Sequence, residues 1–352
     1  MGMQTLALKR MGAVCVATLA LFGSLAQAQG AGEVVVVTGG GLFERGIREN
    51  IAAAFTKSTG VNVRFVASSP GERAVKTKAM NEAKRVEWDI VLTSETQAKL
   101  LNDYLLKDVC ALAKVAPESI VAGGCKPFGT LGVIGGLPLV HRTDAFGGKR
   151  MGSWADFFNV AAFPGPRALP NYGSPMVVLM SALQADGVPK DKLFPIDFDR
   201  AFKVLDRVKP QVAVWWKSGD QSQQVFRSKE AIAGQLWSGR ALDLVSENMP
   251  LHVVWDGAPT DEAYWVVLKG GPNGANALRF LNHFYASSEG HMAFYNTSKW
   301  DSGNRAYLKS IPDADRGKHP GLFLDRMVSE DSDWTAANAP EINRRWNEWI
   351  SR

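Results

Sequence analysis

Short apolar runs alternate with amphipathic stretches along the chain from residue 33 onward. The runs Glu33–Thr38, Val61–Ala67 and Trp88–Thr93 are rich in valine and isoleucine, which predicts buried β-strands. The stretches Glu44–Ser58 and Glu72–Lys84 place apolar residues at helical spacing, which predicts helices between the strands. This alternation is typical of an α/β domain with a parallel sheet.

The pattern changes at Gly129–Val140, an apolar strand broken by glycines that can carry the chain from one domain to another. A second α/β unit begins at Arg167–Pro170, and the strand predicted at Tyr264–Leu268 leads back to the first domain. Between them we predict helices at Met176–Ala185, Phe198–Val208 and Gln221–Ala233, and strands at Val212–Trp216 and His252–Trp255.

Two α/β lobes joined by two crossing strands would enclose a cleft. We expect each lobe to contain a mostly parallel sheet flanked by helices. The predicted boundaries are residues 29–135 plus 263–310 for the first lobe and 136–262 plus 311–352 for the second lobe.

The first 28 residues have the pattern of a secretory signal peptide. Lys9 and Arg10 precede an apolar run over Ala13–Ala26, and Ala26–Ala28 forms an A-x-A cleavage site. The apolar run is about 14 residues long, shorter than the ~20 residues that a membrane-spanning helix needs. We therefore predict export to the periplasm and a mature chain of 324 residues that begins at Gln29.

Charge and cysteine content change once the signal is removed. The whole chain of 352 residues has a formal charge of +5, and the loss of Lys9 and Arg10 leaves +3. Because the basic residues are dispersed among acids, nucleic acid is not an expected partner. Cys110 and Cys125 remain, and in an oxidising compartment we expect them to form a disulfide, with two free buried thiols as the alternative.

Sequence signatures of catalysis are missing from the chain. The loop Gly39–Gly41 lacks the Walker lysine and the dinucleotide-binding spacing, and no G-x-S-x-G elbow is present. The five histidines show no metal-ligand spacing. We therefore predict no enzymatic activity, no metal and no cofactor.

Several collinear segments carry a family pattern: Ala54–Val63, Trp88–Ser94, Ser153–Phe157, Trp237–Arg240, His252–Trp255, Asp261–Asn273 and Ala277–Phe284. Together they resemble the spermidine/putrescine-binding family of bacterial ABC-transporter periplasmic solute-binding proteins. The resemblance extends over residues 33–300 and is densest in the second half. It implies a two-lobed, type II periplasmic-binding fold whose lobes close on a small amino compound, and an inner-membrane ABC permease as partner; we expect a monomer.

The resemblance assigns candidate ligand-binding residues. Trp237 matches an aromatic wall for an ammonium group, although simple core packing is the alternative. Asp261 or Glu262 would pair with the ammonium group. Arg240 would hold a carboxylate or phosphonate, unless it forms an internal salt bridge. Ser69, Ser94 and Ser218 match ligand-facing positions, but serine at these places is also ordinary turn chemistry.

Two departures from the polyamine-binding pattern favour a zwitterion. The stretch around Tyr172 contains no acid, and Tyr264 stands where the family has an aspartate. Both tyrosines are also candidate ligand-binding residues. A ligand such as an ω-amino acid would use both Arg240 and an acid. The leading hypothesis is therefore a periplasmic solute-binding protein that captures a polyamine-like compound or a zwitterionic ω-amino acid. The alternatives are a periplasmic hydrolase on a similar frame and a solute receptor for signalling.

Overall fold

The computed structural model describes residues 32–352. The predicted signal peptide, residues 1–28, lies outside the described residues. Within residues 32–352, every helix is too short or too polar to cross a membrane.

The strands are short, and most of them coincide with apolar runs. β1 matches the predicted Glu33–Thr38 because its four consecutive valines are fully buried between helices. The strands of the described residues are β1 (Glu33–Thr38), β2 (Asn62–Ala67), β3 (Ile90–Thr93), β4 (Cys125–Lys126), β5 (Gly129–Gly136), β6 (Leu139–Arg142), β7 (Arg167–Pro170), β8 (Val212–Trp216), β9 (Ala233–Gln235), β10 (Leu251–Val254), β11 (Thr260–Val267) and β12 (Asp301–Ser302).

The helices connect these strands, and several begin at a serine, asparagine or aspartate that caps the first turn. A π-helical turn, Arg48–Ala52, lies between α1 and α2. The α-helices are α1 (Gly41–Ile47), α2 (Ala53–Thr59), α3 (Pro70–Glu82), α4 (Glu95–Leu100), α5 (Val109–Leu112), α6 (Trp154–Phe158), α7 (Met176–Ala185), α8 (Phe198–Val208), α9 (Gly219–Arg227), α10 (Ser238–Ser246), α11 (Gly274–Ala286), α12 (His291–Ser298), α13 (Arg305–Ser310) and α14 (Ser332–Ile350).

One predicted helix is wrong. The sequence predicts a helix over Gln221–Ala233, but α9 ends at Arg227. Lys229 adopts a positive φ of 60°, which ends the helical path. Ala233–Gln235, at the end of the predicted helix and just beyond it, form β9 between β6 and β7. The periodicity could not reveal this strand because its partners come from distant parts of the chain.

The first sheet has the strand order β12-β5-β11-β3-β1-β2, with β4 also paired to β5. β1 pairs in parallel with β2 and β3, whereas β11 pairs in antiparallel fashion with β3 and β5. The antiparallel pairs arise because β5 leaves this lobe and β11 returns to it. The second sheet has the order β10-β6-β9-β7-β8. In it β7 pairs in parallel with β8 and β9, whereas β6 pairs in antiparallel fashion with β10 and β9. Both sheets are therefore mixed, not mostly parallel as predicted, within the predicted two-lobed α/β fold.

Three segments connect the lobes side by side. β5 continues into β6 through Leu137, and β10 continues into β11 through residues 255–259. A third segment, residues 323–331, leads to α14, whose aromatic side chains pack in the core of the second lobe. The Leu137 amide donates to the Pro259 carbonyl (2.8 Å), and the Val328 amide donates to the Ala258 carbonyl (2.9 Å).

The residues just before the third segment pack with the first lobe. Residues 313–322 pack beside β12, and Gly321 donates its amide to the Asp301 carboxylate. β11 belongs to the first sheet from Thr260 onward. The lobe boundaries themselves stay a prediction.

The predicted disulfide between Cys110 and Cys125 is present and joins α5 to β4 in the first lobe. The two Cα atoms are 5.9 Å apart, and the cysteines are separated by 15 positions in the chain. A crosslink that closes a loop of this size stabilises the fold by about 3 kcal/mol, because it restricts the unfolded chain.

Candidate functional site

Three aromatic rings form one cluster at the edge of the second lobe. Tyr172 follows β7, Trp216 ends β8, and Trp237 lies directly before α10. The ring centroids are 4.4 Å apart for Tyr172 and Trp237 and 5.0 Å apart for Trp216 and Trp237. Trp216 is fully buried, while Tyr172 and Trp237 are half-buried. The cluster is therefore a supported aromatic wall with part of its surface open.

Asp261 lies where this aromatic wall meets the first lobe. Burial raises the pKa of Tyr172 well above its usual value, and the negative charge of Asp261 raises it further. Asp261 belongs to β11 of the first sheet, whereas Tyr172 follows a strand of the second sheet. Among residues 32–352, no group donates a hydrogen bond to the half-buried Asp261 carboxylate.

Two further carboxylates surround Asp261. Burial raises the pKa of Asp261 to about 7, and the charges of Glu330 and Glu262 add to this effect. Burial also raises the pKa of both glutamates. The Tyr264 hydroxyl donates to Glu262 over 3.1 Å, and the Thr96 hydroxyl donates to Glu330. This acidic cluster favours a positively charged group beside it.

The nearest lysines are already paired with other acids. Lys126 and Lys99 both form ion pairs with Glu95, at 3.4 Å and 3.5 Å. Lys99 also lies 2.6 Å from Asp333. Lys126 lowers the pKa of Glu262 only in part, since burial outweighs it. The acidic cluster therefore keeps an excess of negative charge.

Arg240 forms the internal salt bridge that was the alternative for this residue. Its guanidinium lies 3.1 Å from the Asp220 carboxylate and donates to the Gln223 side chain (3.2 Å). It packs against Gly219, where an added Cβ would come within 2.4 Å of the Arg240 Nε. Asp220 is 87% exposed, so this pair contributes less than about 1 kcal/mol. The guanidinium can therefore exchange its partner at little cost.

The three predicted serines are all helix caps. Ser69, Ser94 and Ser218 accept the amide of the third helical residue of α3, α4 and α9, at 3.4, 3.3 and 3.2 Å. This is ordinary capping chemistry, and each exposed hydroxyl keeps its own hydrogen available to donate. All three follow the carboxyl ends of parallel strands, the edge at which α/β sheets usually bind ligands.

A surface depression of about 520 Å³ lies elsewhere, beside α9 on the second lobe. Its lining includes Gln221, Gln224 and Glu230 but neither the aromatic wall nor Asp261. We assign the candidate site to the interlobe residues, because there the aromatic wall meets the Asp261 carboxylate, which has no hydrogen-bond donor among residues 32–352.

Comparison with known proteins identifies the family. Residues 50–321 match the bacterial extracellular solute-binding protein family. The chain belongs to this family. The resemblance predicted from the sequence is confirmed for the solute-binding family as a whole. Membership of its spermidine/putrescine-binding branch is not shown.

Individual relatives agree with this assignment over almost the whole chain. The γ-aminobutyric acid-binding protein of Pseudomonas aeruginosa is 27% identical over 339 residues, which are 94% of each chain. The open, unliganded structure of AttC from Agrobacterium tumefaciens is 32% identical, with a TM-score of 0.75 over 90% of this chain and 99% of AttC. The structure of a GABA receptor is 29% identical, with a TM-score of 0.78 over 90% and 97% of the two chains.

Membership of the family fixes the general role. The protein is the solute-binding component of an ABC transporter, and its family is not enzymatic. The alternative of a periplasmic hydrolase is therefore wrong. Membership also places the protein outside the cytoplasm, because the family is extracellular.

Sequence reasoning about this solute-binding protein missed Glu330 and Trp216. Trp216 lies in a strand that was predicted, but its sequence neighbours do not indicate that it supports Trp237. Glu330 lies in the third connecting segment, which has no motif. Its approach to Asp261 depends on a contact between residues 69 positions apart. A single sequence contains no signal of that contact.

Proposed function

We propose that this solute-binding protein captures a zwitterionic ω-amino acid between its lobes. The observation that supports the proposal most is the unpartnered Asp261 carboxylate beside Tyr172 and Trp237. Such a carboxylate beside an aromatic wall suits a primary ammonium group. A relative of 27% identity and a solved structure of 29% identity are named for γ-aminobutyric acid.

The ammonium end would lie between the aromatic wall and the acidic cluster. A cation over a tryptophan or tyrosine face gains about 0.5–2 kcal/mol. Asp261 would supply a charged hydrogen-bond acceptor, and Glu262 and Glu330 would strengthen the field around it. The three acids form no group that could hold a metal ion among the described residues, so an organic cation suits them better.

The anionic end would use Arg240. This residue lies three positions after Trp237, at the start of α10, and its exposed partner Asp220 holds it weakly. A ligand carboxylate could accept two parallel hydrogen bonds from the guanidinium in place of that pair. Ser218, the cap of the neighbouring α9, could donate its hydroxyl hydrogen to the same group.

A polyamine is the second candidate ligand. Glu330, unforeseen from the sequence, adds a further half-buried carboxylate beside Asp261, and several carboxylates suit a ligand with more than one ammonium group. In either case the protein would act in the periplasm and deliver its ligand to an inner-membrane ABC permease, as a monomer. A role as a solute receptor for signalling would use the same binding step.

Calorimetric titration of the mature chain, residues 29–352, tests the proposal. We expect 4-aminobutyrate to bind more tightly than n-butylamine, putrescine or spermidine, because only the amino acid has both charged ends. Trp237→Leu should weaken binding about 2- to 30-fold through the lost cation–π contact, and Trp237→Phe should weaken it less. Binding of the polyamines alone, or no binding of any amino compound, would overturn the proposal.

A further inference from the structure

Arg73 is a buried arginine without an acidic partner. Its side chain is 9% exposed, and its Nη1 donates to the carbonyl of Leu92. Nε has no partner, and neither Nε nor Nη2 donates to any of residues 32–352. Burial lowers the pKa of Arg73 to about 10, and no carboxylate offsets this effect. An unpaired charge in such a place costs stability, which calls for an explanation.

Another buried arginine shows what a structural role requires. Arg167 in the second lobe is fully buried and also has no carboxylate partner. Its guanidinium donates to three carbonyls, those of Phe157, Phe163 and Gly165. Arg167 is therefore satisfied by the fold itself. Arg73 keeps the Nε–Nη2 edge, which can bind a carboxylate with two parallel hydrogen bonds, without any acceptor.

Arg73 lies at the same edge of the first sheet as the candidate site. It is the fourth residue of α3, and helical side chains lean toward the helix N-terminus, so the guanidinium covers the first turn. There it reaches Leu92 near the carboxyl end of β3, two residues before Ser94. A Cβ added to Gly71, in the same first turn, would meet nothing within 4 Å, so the backbone of that turn is open at Gly71.

We propose that Arg73 is a second ligand-binding residue, which receives the anionic group of the ligand from the first lobe. This rests on the proposed function, in which Arg240 approaches that group from the second lobe. The shared chemistry is a carboxylate or a phosphonate. The anionic end of the ligand would then accept hydrogen bonds from one guanidinium in each lobe and bridge Arg73 and Arg240. Its ammonium end would contact Asp261.

Calorimetry with matched ligands tests the role of Arg73. The ligands are 4-aminobutyrate, 3-aminopropylphosphonate and n-butylamine, and the variants are Arg73→Met and Arg73→Lys. Arg73→Met should weaken binding of the ligand with the matching anionic group about 10- to 100-fold and leave n-butylamine unchanged. Arg73→Lys should lose less, since it keeps the charge but not the fork. If 4-aminobutyrate loses more affinity than 3-aminopropylphosphonate, the anionic group is a carboxylate; the reverse result indicates a phosphonate.

The structural alternative predicts a different outcome. If Arg73 only supports Leu92, Arg73→Met should lower the melting temperature and weaken all three ligands alike, and that result would overturn the proposal. We expect instead an unchanged or higher melting temperature for the unliganded variant, since an unpaired buried charge is removed. Arg64→Met, which removes an exposed arginine paired with Glu33 on β1, is the surface control and should change neither property.

Inorganic phosphate separates this inference from the proposed function. If the wild-type chain binds none of the amino compounds, the proposed function fails, and phosphate alone then decides on Arg73. A rise in melting temperature with phosphate in the wild type that is absent in Arg73→Met supports an anion site at Arg73. No rise in the wild type, or an equal rise in both proteins, overturns it.

Discussion

Two aspartates of the first sheet, Asp301 and Asp261, have opposite surroundings. Asp301 is fully buried, and its carboxylate accepts hydrogen bonds from the Tyr307 hydroxyl (2.6 Å) and the Gly321 amide (2.8 Å). The His319 Nδ1 lies 2.8 Å from it. Asp261 is half-buried at the lobe boundary and has no such donor among the described residues. The first carboxylate is satisfied by the fold, and the second lacks what a ligand could supply.

Asp89 extends the comparison to a third acid of the same lobe. Its carboxylate accepts the amides of Val35 (2.8 Å) and Asn273 (2.7 Å), as well as the Asn273 side chain (3.0 Å). It therefore fixes the loop after β11 to the start of the first sheet. Full burial and full hydrogen bonding together separate the acids that hold this lobe together from Asp261, which faces the other lobe.

Replacing Asp301 should lower the stability of the fold strongly. Asp301→Ala removes the carboxylate from the buried His319 and Tyr307 and leaves them their 3.1 Å contact with each other. We expect the free energy of unfolding to fall by about 3–5 kcal/mol. Urea denaturation followed by tryptophan fluorescence measures this. The folded fraction should still bind 4-aminobutyrate with wild-type affinity. If Asp301→Ala kept normal stability but lost binding, Asp301 would be a ligand-binding residue and not a structural one.

Replacing Asp261 should have the opposite consequences. Asp261→Asn should weaken binding of 4-aminobutyrate about 100-fold or more, since the ammonium group loses its charged partner. The folded-state pKa of about 7 exceeds the unfolded value of about 3.8, so the ionised carboxylate lowers stability as pH rises through this window. The variant should therefore be about 0.5–2 kcal/mol more stable than the wild type at pH 8, without that gain near pH 4. A stability loss resembling that of Asp301→Ala would contradict the comparison.

Ligand affinity should also depend on pH near neutrality. An ammonium ligand binds the ionised form of Asp261, so binding below pH 7 must release a proton. Affinity for 4-aminobutyrate should be about tenfold lower at pH 6 than at pH 8, while the charges of the ligand itself stay constant. Calorimetry in buffers of different ionisation enthalpy measures both the affinity and the released proton. A flat profile in the wild type would mean that Asp261 does not face the ammonium group.

Local patterns predict much of this fold but little of the site's geometry. Arg167–Pro170 and Met176–Ala185 occur at the predicted bounds, because strand and helix preferences there agree with burial. β9 was missed because it exists only through pairing with β6 and β7. The spacing Ser69–Glu72 is a capping box that a sequence can show.

The site residues also divide into those that the sequence indicates and those that depend on distant contacts. Family resemblance pointed to Trp237 and Asp261, and it also pointed to Arg240 without revealing its pairing with Asp220. Glu330 and Arg73 could not be found this way. Their importance comes from what surrounds them in space: other acids for Glu330, and the lack of any acid for Arg73.

The three connecting segments that run side by side have a mechanical consequence. Leu137, Pro259 and Val328 lie on neighbouring segments that are hydrogen-bonded into a narrow ribbon. A ribbon bends out of its own plane more readily than within it, so the lobes approach each other along one path. Asp261 and Glu330 lie beyond the same end of the ribbon, on two of its segments. Their mutual repulsion therefore persists along that path until a cation enters between the lobes.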